Sequence, residues 1–344
     1  MESIEKINNF TKEYIQSFNF SKIYKKNKYI NGDSFLDKFL FSTLTGSNFK
    51  LEEEKVDLIF TENQWRFLGD SNKIKNSGFI AFMIFDIVNN LSFNFLKHRE
   101  KEFLKNKSEE LFDSLYINGK TAHDSNKKNS KNINNVLNIL AMRLYLKSSK
   151  IKFDKSDLVQ FYSSQMKEGW FPYINPGRFV RHLSKYSPHK LTKIILRDSN
   201  PRFFDISHHC YILLCLIKVY SRNNDKKLKK CLNKGLDILN ECIINNNLLF
   251  KETNTKIHRF CNFGDTTLYY IFLRLTKLAI LKGLNYNNDS IEKVIIKIKK
   301  ITNINESSIM PIEKESPSFG YVLPALWMDE KYKLIHLKIL LDEK

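Results

Sequence analysis

The segment RFFDISHHCYILLCLIKVY, residues 202–220, decides the predicted fold because a long apolar run begins with polar residues. From 205 to 220 apolar side chains fall on nearly every face of a helix, which is typical of a helix buried on most sides. The next segment, 225–243, has one apolar stripe opposite a lysine-rich face, which is typical of a helix on the outside of a protein. The sequence therefore predicts a buried helix followed by an outer helix.

This alternation continues along the chain. Further buried helices are predicted at 33–46, 77–96, 132–146, 264–283 and 319–328, and more polar helices at 154–166, 289–301 and after residue 328. From residue 77 onward the buried helices recur at intervals of roughly 55 to 75 residues, which is typical of arrays of helical hairpins. Only 11 Gly and 7 Pro are present, which disfavours a turn-dense β fold. The prediction is an all-α fold of five to six helical hairpins with short extended connections.

The chain is strongly basic, with 56 Lys and Arg against 37 Asp and Glu and a formal net charge of +19. Such a charge suits an anionic partner, which could be nucleic acid, an anionic membrane surface or an acidic polysaccharide. The lysines are spread along most of the chain together with many Asn, Ile and Phe, a composition that AT-rich codons also produce. The charge is therefore either functional or the result of codon bias.

Cysteine usage and the amino-terminal residues bear on the compartment. The five cysteines include no CxxC pair and lie mostly among apolar residues, which is typical of buried thiols in a reducing compartment. The first residues lack the apolar core of a signal peptide, and no run of 18 apolar residues suggests a membrane span. We expect a cytoplasmic protein of unknown oligomeric state.

Three segments, GWFPY at 169–173, FDISHHCYILLCLIKVY at 204–220 and RFCNFGDTTLYYIFLRL at 259–275, resemble the (α/α)-toroid carbohydrate-active enzymes. That group includes polysaccharide lyases, unsaturated-glycuronyl hydrolases and sugar epimerases. The resemblance implies an (α/α) toroid, or barrel, over residues 76–344, and residues 1–75 form a helical segment that either joins the ring or precedes it. It also implies a cleft where the polar starts of parallel inner helices meet.

Asp205, His208 and His209 occupy one such polar start. A histidine there could take a proton from a substrate carbon or hydroxyl. Neighbouring residues on a helix point about 100° apart, so one histidine should face the lumen while the other packs against a neighbouring helix. Asp205 could equally be an N-cap of the helix. A metal held by one histidine and Asp205 is a further alternative, although we expect no metal and no cofactor.

The next polar start contains His258, Arg259 and Asp265. Arg259 could bind the carboxylate of a uronic acid in a bidentate manner, which would make the α-proton easier to remove. The alternative is a surface salt bridge for Arg259 and an N-cap role for Asp265. If Asp205 and Asp265 faced each other across the lumen, the pair would instead suit glycoside hydrolysis.

Aromatic and basic residues complete the predicted site. Trp170 and Tyr173 could stack on sugar rings, or they could pack beneath a loop. Arg178 and Arg202 are candidate substrate-binding residues, with His258. The candidate proton donors are Tyr211 and Tyr269.

Two classes of function remain open at this point. The first is an enzyme that processes an acidic, uronate-type poly- or oligosaccharide by proton abstraction and β-elimination, with glycoside hydrolysis by paired aspartates as its variant. The second is a non-catalytic basic helical-repeat scaffold that binds a protein or nucleic acid. Zinc-finger, RNP and helix-turn-helix patterns are missing from the sequence, so nucleic acid is the less favoured partner.

Overall fold

The computed structural model describes residues 2–17, 35–52, 78–93, 95–122, 136–148, 156–172, 175, 206–245, 250–251, 257–258, 262–303 and 323–343. These residues form 11 helices and two small β-hairpins. The helices are α1 (Glu2–Ser17), α2 (Phe35–Thr45), α3 (Gly78–Asn90), α4 (His98–Leu115), α5 (Leu137–Ser148), α6 (Ser156–Ser164), α7 (Ile206–Asn223), α8 (Lys226–Ile244), α9 (Asn262–Leu281), α10 (Asn288–Asn303) and α11 (Leu323–Asp342). The predicted all-α fold class is confirmed.

Helices α7 and α8 show why buried and outer helices alternate. The apolar residues of α7 are buried on every face, including Ile212, Leu216 and Val219. By contrast, α8 buries a single stripe, and its lysines point outward. Asp225 starts α8 as its N-cap, because the carboxylate accepts hydrogen bonds from the backbone amides of Lys227 and Leu228 at 2.8 and 2.9 Å.

The five apolar helices α3, α5, α7, α9 and α11 pack against one another. Helix α7 contacts α5 and α9, α11 contacts α9 and α3, and α3 contacts α5. We call these the inner helices. The other helices lie against them, with α4 on α3, α8 on α7, α10 on α9, and both α1 and α2 on α11.

The inner helices α3, α5 and α7 run in the same direction. Near their starts, a Cβ added at Gly78 would lie 3.0 Å from Ile139 Cγ2, and the rings of Phe79 and Tyr211 have centroids 5.2 Å apart. Near the end of α5, the ring of Tyr145 lies 5.3 Å from that of Phe85, which is also in the second half of α3. Starts therefore pack with starts, and later turns with later turns.

The last helix corrects one sequence prediction. The prediction of a separate outer helix after residue 328 is wrong, because α11 is one continuous helix whose residues 333–337, 339 and 340 are buried. The lysines of this helix caused the wrong prediction, because lysines are typical of an outer helix. Lys333 is only 3% exposed, and the Lys338 ammonium donates to the backbone carbonyls of Thr43 and Leu44 at the end of α2. Cations at helix ends of this kind stabilise the negative end of the helix dipole.

Two antiparallel hairpins form part of the connections between outer and inner helices. Strand β1 (Tyr116–Ile117) pairs with β2 (Lys120–Thr121) after α4, and β3 (Phe250–Lys251) pairs with β4 (Ile257–His258) before α9. The first hairpin turns through Asn118 and Gly119, both with positive φ, as a tight two-residue hairpin turn requires. Across the described ranges, every helix is too short or too polar to cross a lipid bilayer.

Candidate functional site

Several predicted site residues lie outside the described residues. They are Asp205, Arg259, Tyr173, Arg178 and Arg202. Asp265 is the fourth residue of α9, and His258 is the second residue of β4. Since α9 begins at Asn262, the proposed N-cap role of Asp265 is wrong: this residue lies within the first turn of the helix.

The two adjacent histidines at the start of α7 have different environments. His209 is fully buried, and both of its ring nitrogens are hydrogen-bonded. The backbone amide of Phe171 donates to its Nδ1 at 3.2 Å, so Nε2 carries the proton and donates to the carbonyl of Gly235 at 2.9 Å. His208, one position earlier, is partly exposed. Of the two histidines, His208 is therefore the one that solvent reaches.

The segment GWF at 169–171, which follows α6, is closely packed against other helices. Trp170 and Phe171 are each only 1% exposed, so they lie in the core rather than presenting a ring face to solvent. Gly169 has a φ of +120°, and a Cβ there would lie 2.3 Å from the carbonyl oxygen of Lys234 on α8. Glycine is needed at this position because both the backbone conformation and the close approach exclude a side chain.

The predicted proton donors Tyr211 and Tyr269 are both buried, at 6% and 5% exposure. Tyr211 lies one and a half turns into α7. The rings of Phe79 and Phe82 from α3 contact it edge-on, with centroids 5.2 and 5.9 Å away. Its hydroxyl lies 3.5 Å from Nε2 of His336 on α11.

A group of buried charges that the sequence analysis did not single out joins the inner helices. We call it the charge cluster, and it consists of Asp86, Asn90, Lys218, Arg274, His336 and Glu343. Three of the inner helices, α3, α7 and α9, contribute from their second halves, and α11 contributes His336 and the residue that follows its last turn. Tyr145 of α5 joins the cluster through Asn90, whose amide donates to the tyrosine hydroxyl at 3.1 Å.

Arg274 is the centre of the charge cluster and is fully buried. It forms two hydrogen bonds to the Asp86 carboxylate at 2.5 and 2.8 Å, two to Glu343 Oε1 at 2.8 and 2.6 Å, and one to His336 Nδ1 at 3.3 Å. These five bonds match the five N–H donors of a guanidinium. Bidentate pairing of this kind is the strongest way to hold a buried arginine.

The charges in the cluster balance. The two carboxylates of Asp86 and Glu343 balance the two cations of Arg274 and Lys218. The Lys218 ammonium lies 2.7 Å from Glu343 Oε1. Burial alone would raise the pKa of Glu343, but the two cations outweigh burial and hold that pKa below its ordinary value. Burial lowers the pKa of Lys218, and the nearby Arg274 cation lowers it further, although Glu343 and Asp86 act in the opposite direction.

Two further effects follow from burial of the cluster. Burial lowers the pKa of His336 well below 6.5, and the nearby Arg274 cation lowers it further. This imidazole is therefore neutral at pH 7. Glu343 Oε2 is buried and accepts no hydrogen bond from the described residues, which costs about 1–3 kcal/mol of stability. Among those same residues, no group of three His, Cys, Asp or Glu side chains is placed to hold a metal ion.

The charge cluster had one sequence signal that could have revealed it. Asp86 is the one charged residue of the predicted buried segment 77–96, and Arg274 lies with Lys277 among the apolar residues of the predicted buried segment 264–283. A buried charge is almost always paired, so two such charges of opposite sign predict an ion pair between the helices. Lys218 carried a similar signal, because it is the one charge among the apolar residues 210–220, whereas Glu343 lies just beyond the end of its helix.

Comparisons with known proteins add no assignment. No protein family matches the chain. No curated protein is significantly similar to it either.

Proposed function

We propose that the inner helices and their outer partners form an (α/α) toroid that processes an acidic, uronate-type carbohydrate. The observation that carries the proposal is the charge cluster, which ties together the later halves of the inner helices. Since those halves meet, the helices run in parallel, and their starts share the opposite end of the molecule. We infer that the polar segments that precede these helices in the sequence meet at that end.

The shared end suits an anionic ligand for an electrostatic reason. Each helix start presents unpaired backbone N–H groups and the positive end of a helix dipole. Parallel inner helices add these fields together, and carboxylates or phosphates bind at helix starts for this reason. The charge cluster at the other end is neutral, and both of its cations are paired with carboxylates, so it offers an acidic sugar no unpaired cation.

The proposed reaction is β-elimination. His208 removes the proton next to the uronate carboxylate, and Arg259, which enters from the sequence alone, holds that carboxylate. The C–H electron pair forms the carbon–carbon double bond, and the C–O bond breaks with its pair remaining on the leaving oxygen. Tyr211 or Tyr269 gives a proton to that oxygen, and proton exchange with solvent then restores the histidine and the tyrosine.

The test is a screen of the intact protein against a panel of uronic-acid polymers. Elimination conjugates the new double bond to the carboxylate, so ultraviolet absorbance rises as the reaction proceeds. His208→Ala should lower kcat by roughly 10²–10⁴-fold, the usual size of a general-base contribution. His98→Ala is the matched control, because His98 is an exposed histidine at the start of the outer helix α4, and it should retain full activity.

Two results would contradict this proposal in different ways. Wild-type protein that is inactive on every polymer of the panel rejects the lyase function. Activity that survives His208→Ala rejects the assigned base while keeping the function.

A second candidate, the non-catalytic scaffold, has one observation in its favour. His209 and Trp170 are both packed in the core, as the scaffold interpretation requires. It predicts binding of an anionic polymer without turnover, through exposed lysines such as Lys226 and Lys230 on α8. Affinity that falls steeply and linearly with the logarithm of salt concentration, with no product formed, would select this alternative.

A further inference from the structure

His336 lies between the charge cluster and one of the candidate proton donors. It is fully buried in the second half of α11. Its Nδ1 lies 3.3 Å from Nη1 of Arg274, and its Nε2 lies 3.5 Å from the hydroxyl oxygen of Tyr211. The imidazole and phenol rings have centroids 6.0 Å apart. One imidazole thus touches the cluster with one nitrogen and Tyr211 with the other.

The arginine fixes the tautomer of this histidine. A guanidinium has only donors, so Arg274 donates to Nδ1 and that nitrogen must be unprotonated. The ring is neutral, because burial and the Arg274 cation lower the pKa of His336. Its single proton is therefore on Nε2 and is directed at Tyr211.

The tautomer in turn orients Tyr211. A hydroxyl oxygen that accepts a hydrogen bond from His336 must direct its own proton elsewhere. Phe79 and Phe82 hold the phenol ring edge-on from α3, near the starts of the inner helices. Tyr211 is thus held on the side of the cluster that faces the shared end of the helix starts.

We propose that His336 is a positioning residue that, locked by Arg274, donates from Nε2 to Tyr211 and presents the tyrosine hydroxyl as the proton donor of the site. The role in turnover rests on the proposed function. When Tyr211 gives its proton to the leaving oxygen, the His336 N–H stabilises the phenolate oxygen that remains. Arg274 keeps all of its protons throughout, because a guanidinium cannot be deprotonated in a protein, so the chain of hydrogen bonds is a fixed support and not a proton relay.

The first experiment needs no turnover. Nitrogen-15 NMR of wild-type protein labelled at histidine should show His336 as the neutral Nε2–H tautomer from pH 5 to pH 8. In Tyr211→Phe, which removes only the hydroxyl oxygen, the resonances of Nε2 and its proton should shift because their acceptor is lost. An Nδ1–H tautomer, an imidazolium at pH 6, or unchanged resonances in Tyr211→Phe would each overturn the proposal.

The second experiment uses a matched pair of variants in the uronate-polymer assay. His336→Phe fills the space with a ring that cannot donate, and His336→Gln restores a side chain with one acceptor and one donor. We expect His336→Phe to lower kcat at least tenfold with KM unchanged and His336→Gln to recover part of the loss, each in folded protein. Equal kcat values for the two variants would overturn the positioning role. Wild-type protein without activity would reject the proposed function and leave the NMR result standing.

Discussion

The two ends of the inner helices differ in the surroundings of their polar groups. At one end, charged groups are buried, and each is matched by a partner from another helix, with Arg274 using all five of its donors. At the other end, the starts of α3, α5 and α7 pack together, and in general the first N–H groups of a helix have no partner within the helix. In the proposed function, the neutral end fixes the geometry of the helices, and the opposite end binds the ligand.

The largest expected effect comes from removing one charge at the closed end. Asp86→Asn keeps the size of the side chain but leaves Arg274 without one of its two carboxylates. Breaking a buried ion pair from one side costs roughly 3–5 kcal/mol, and we expect the free energy of unfolding to fall by that amount. Urea denaturation followed by circular dichroism measures it.

The control for Asp86→Asn is the same change at a half-exposed ion pair. Asp113 binds Arg143 and Lys147 on the surface, and its side chain is 46% exposed. Exposed pairs contribute about 0–1 kcal/mol, so Asp113→Asn should cost no more than that. If the two variants lose equal stability, the charge cluster is not what holds the inner helices together.

The adjacent histidines at the other end, His208 and His209, should likewise differ in how much each contributes to stability. His209→Ala leaves the Phe171 amide and the Gly235 carbonyl without their shared partner and opens a cavity, so we expect a loss of roughly 2–4 kcal/mol. His208→Ala, at a partly exposed position, should cost about 0.5 kcal/mol or less. Thermal unfolding of both variants measures the difference, and the reverse order would mean that His208 is the structural histidine.

The smallest effect is a change of stability with pH. His336 stays neutral in the folded protein because burial lowers its pKa, whereas in the unfolded chain it takes up a proton near its ordinary value of 6.5. Below about pH 6.5 the unfolded state therefore binds more protons, and stability falls as the pH falls, by at most about 1.4 kcal/mol per pH unit for one group.

Comparison with His336→Gln isolates this contribution from that of the other histidines. The variant should lose less stability than wild type between pH 6.5 and pH 5. Below that range Glu343 adds its own loss in both proteins, because its folded pKa is lowered and its stabilisation disappears as the carboxylate is protonated. Parallel curves for the two proteins from pH 6.5 to pH 5 would show that His336 takes up its proton normally in the folded state.

The fold class could be predicted from the sequence because apolar periodicity reports burial of each helix directly. The contrast between α7 and α8 was visible in that pattern. The same signal failed at α11, where Lys333 is buried and the half-buried Lys338 donates from its ammonium group to backbone carbonyls of α2. A lysine on an inner helix is indistinguishable in sequence from a lysine on an outer one.

The site could be predicted only in part, for a different reason. The argument that neighbouring histidines cannot share one environment identified that His208 and His209 would differ, but not which one would be packed. The partner of His209 is a backbone carbonyl on the next helix, and backbone groups leave no mark in a sequence. The pairing of Asp86 with Arg274 spans 188 positions, and local patterns carry no information about contacts at that separation.

The position of Glu343 has a consequence for how the chain assembles. Arg274 needs carboxylates from residues 86 and 343 at once, so α9 cannot be buried at low energy until the segments on both sides of it have arrived. Partly assembled chains would bury an uncompensated cation, and such intermediates are therefore disfavoured. We expect folding to occur in one cooperative step. In that step α11 packs last and stabilises the helices that precede it.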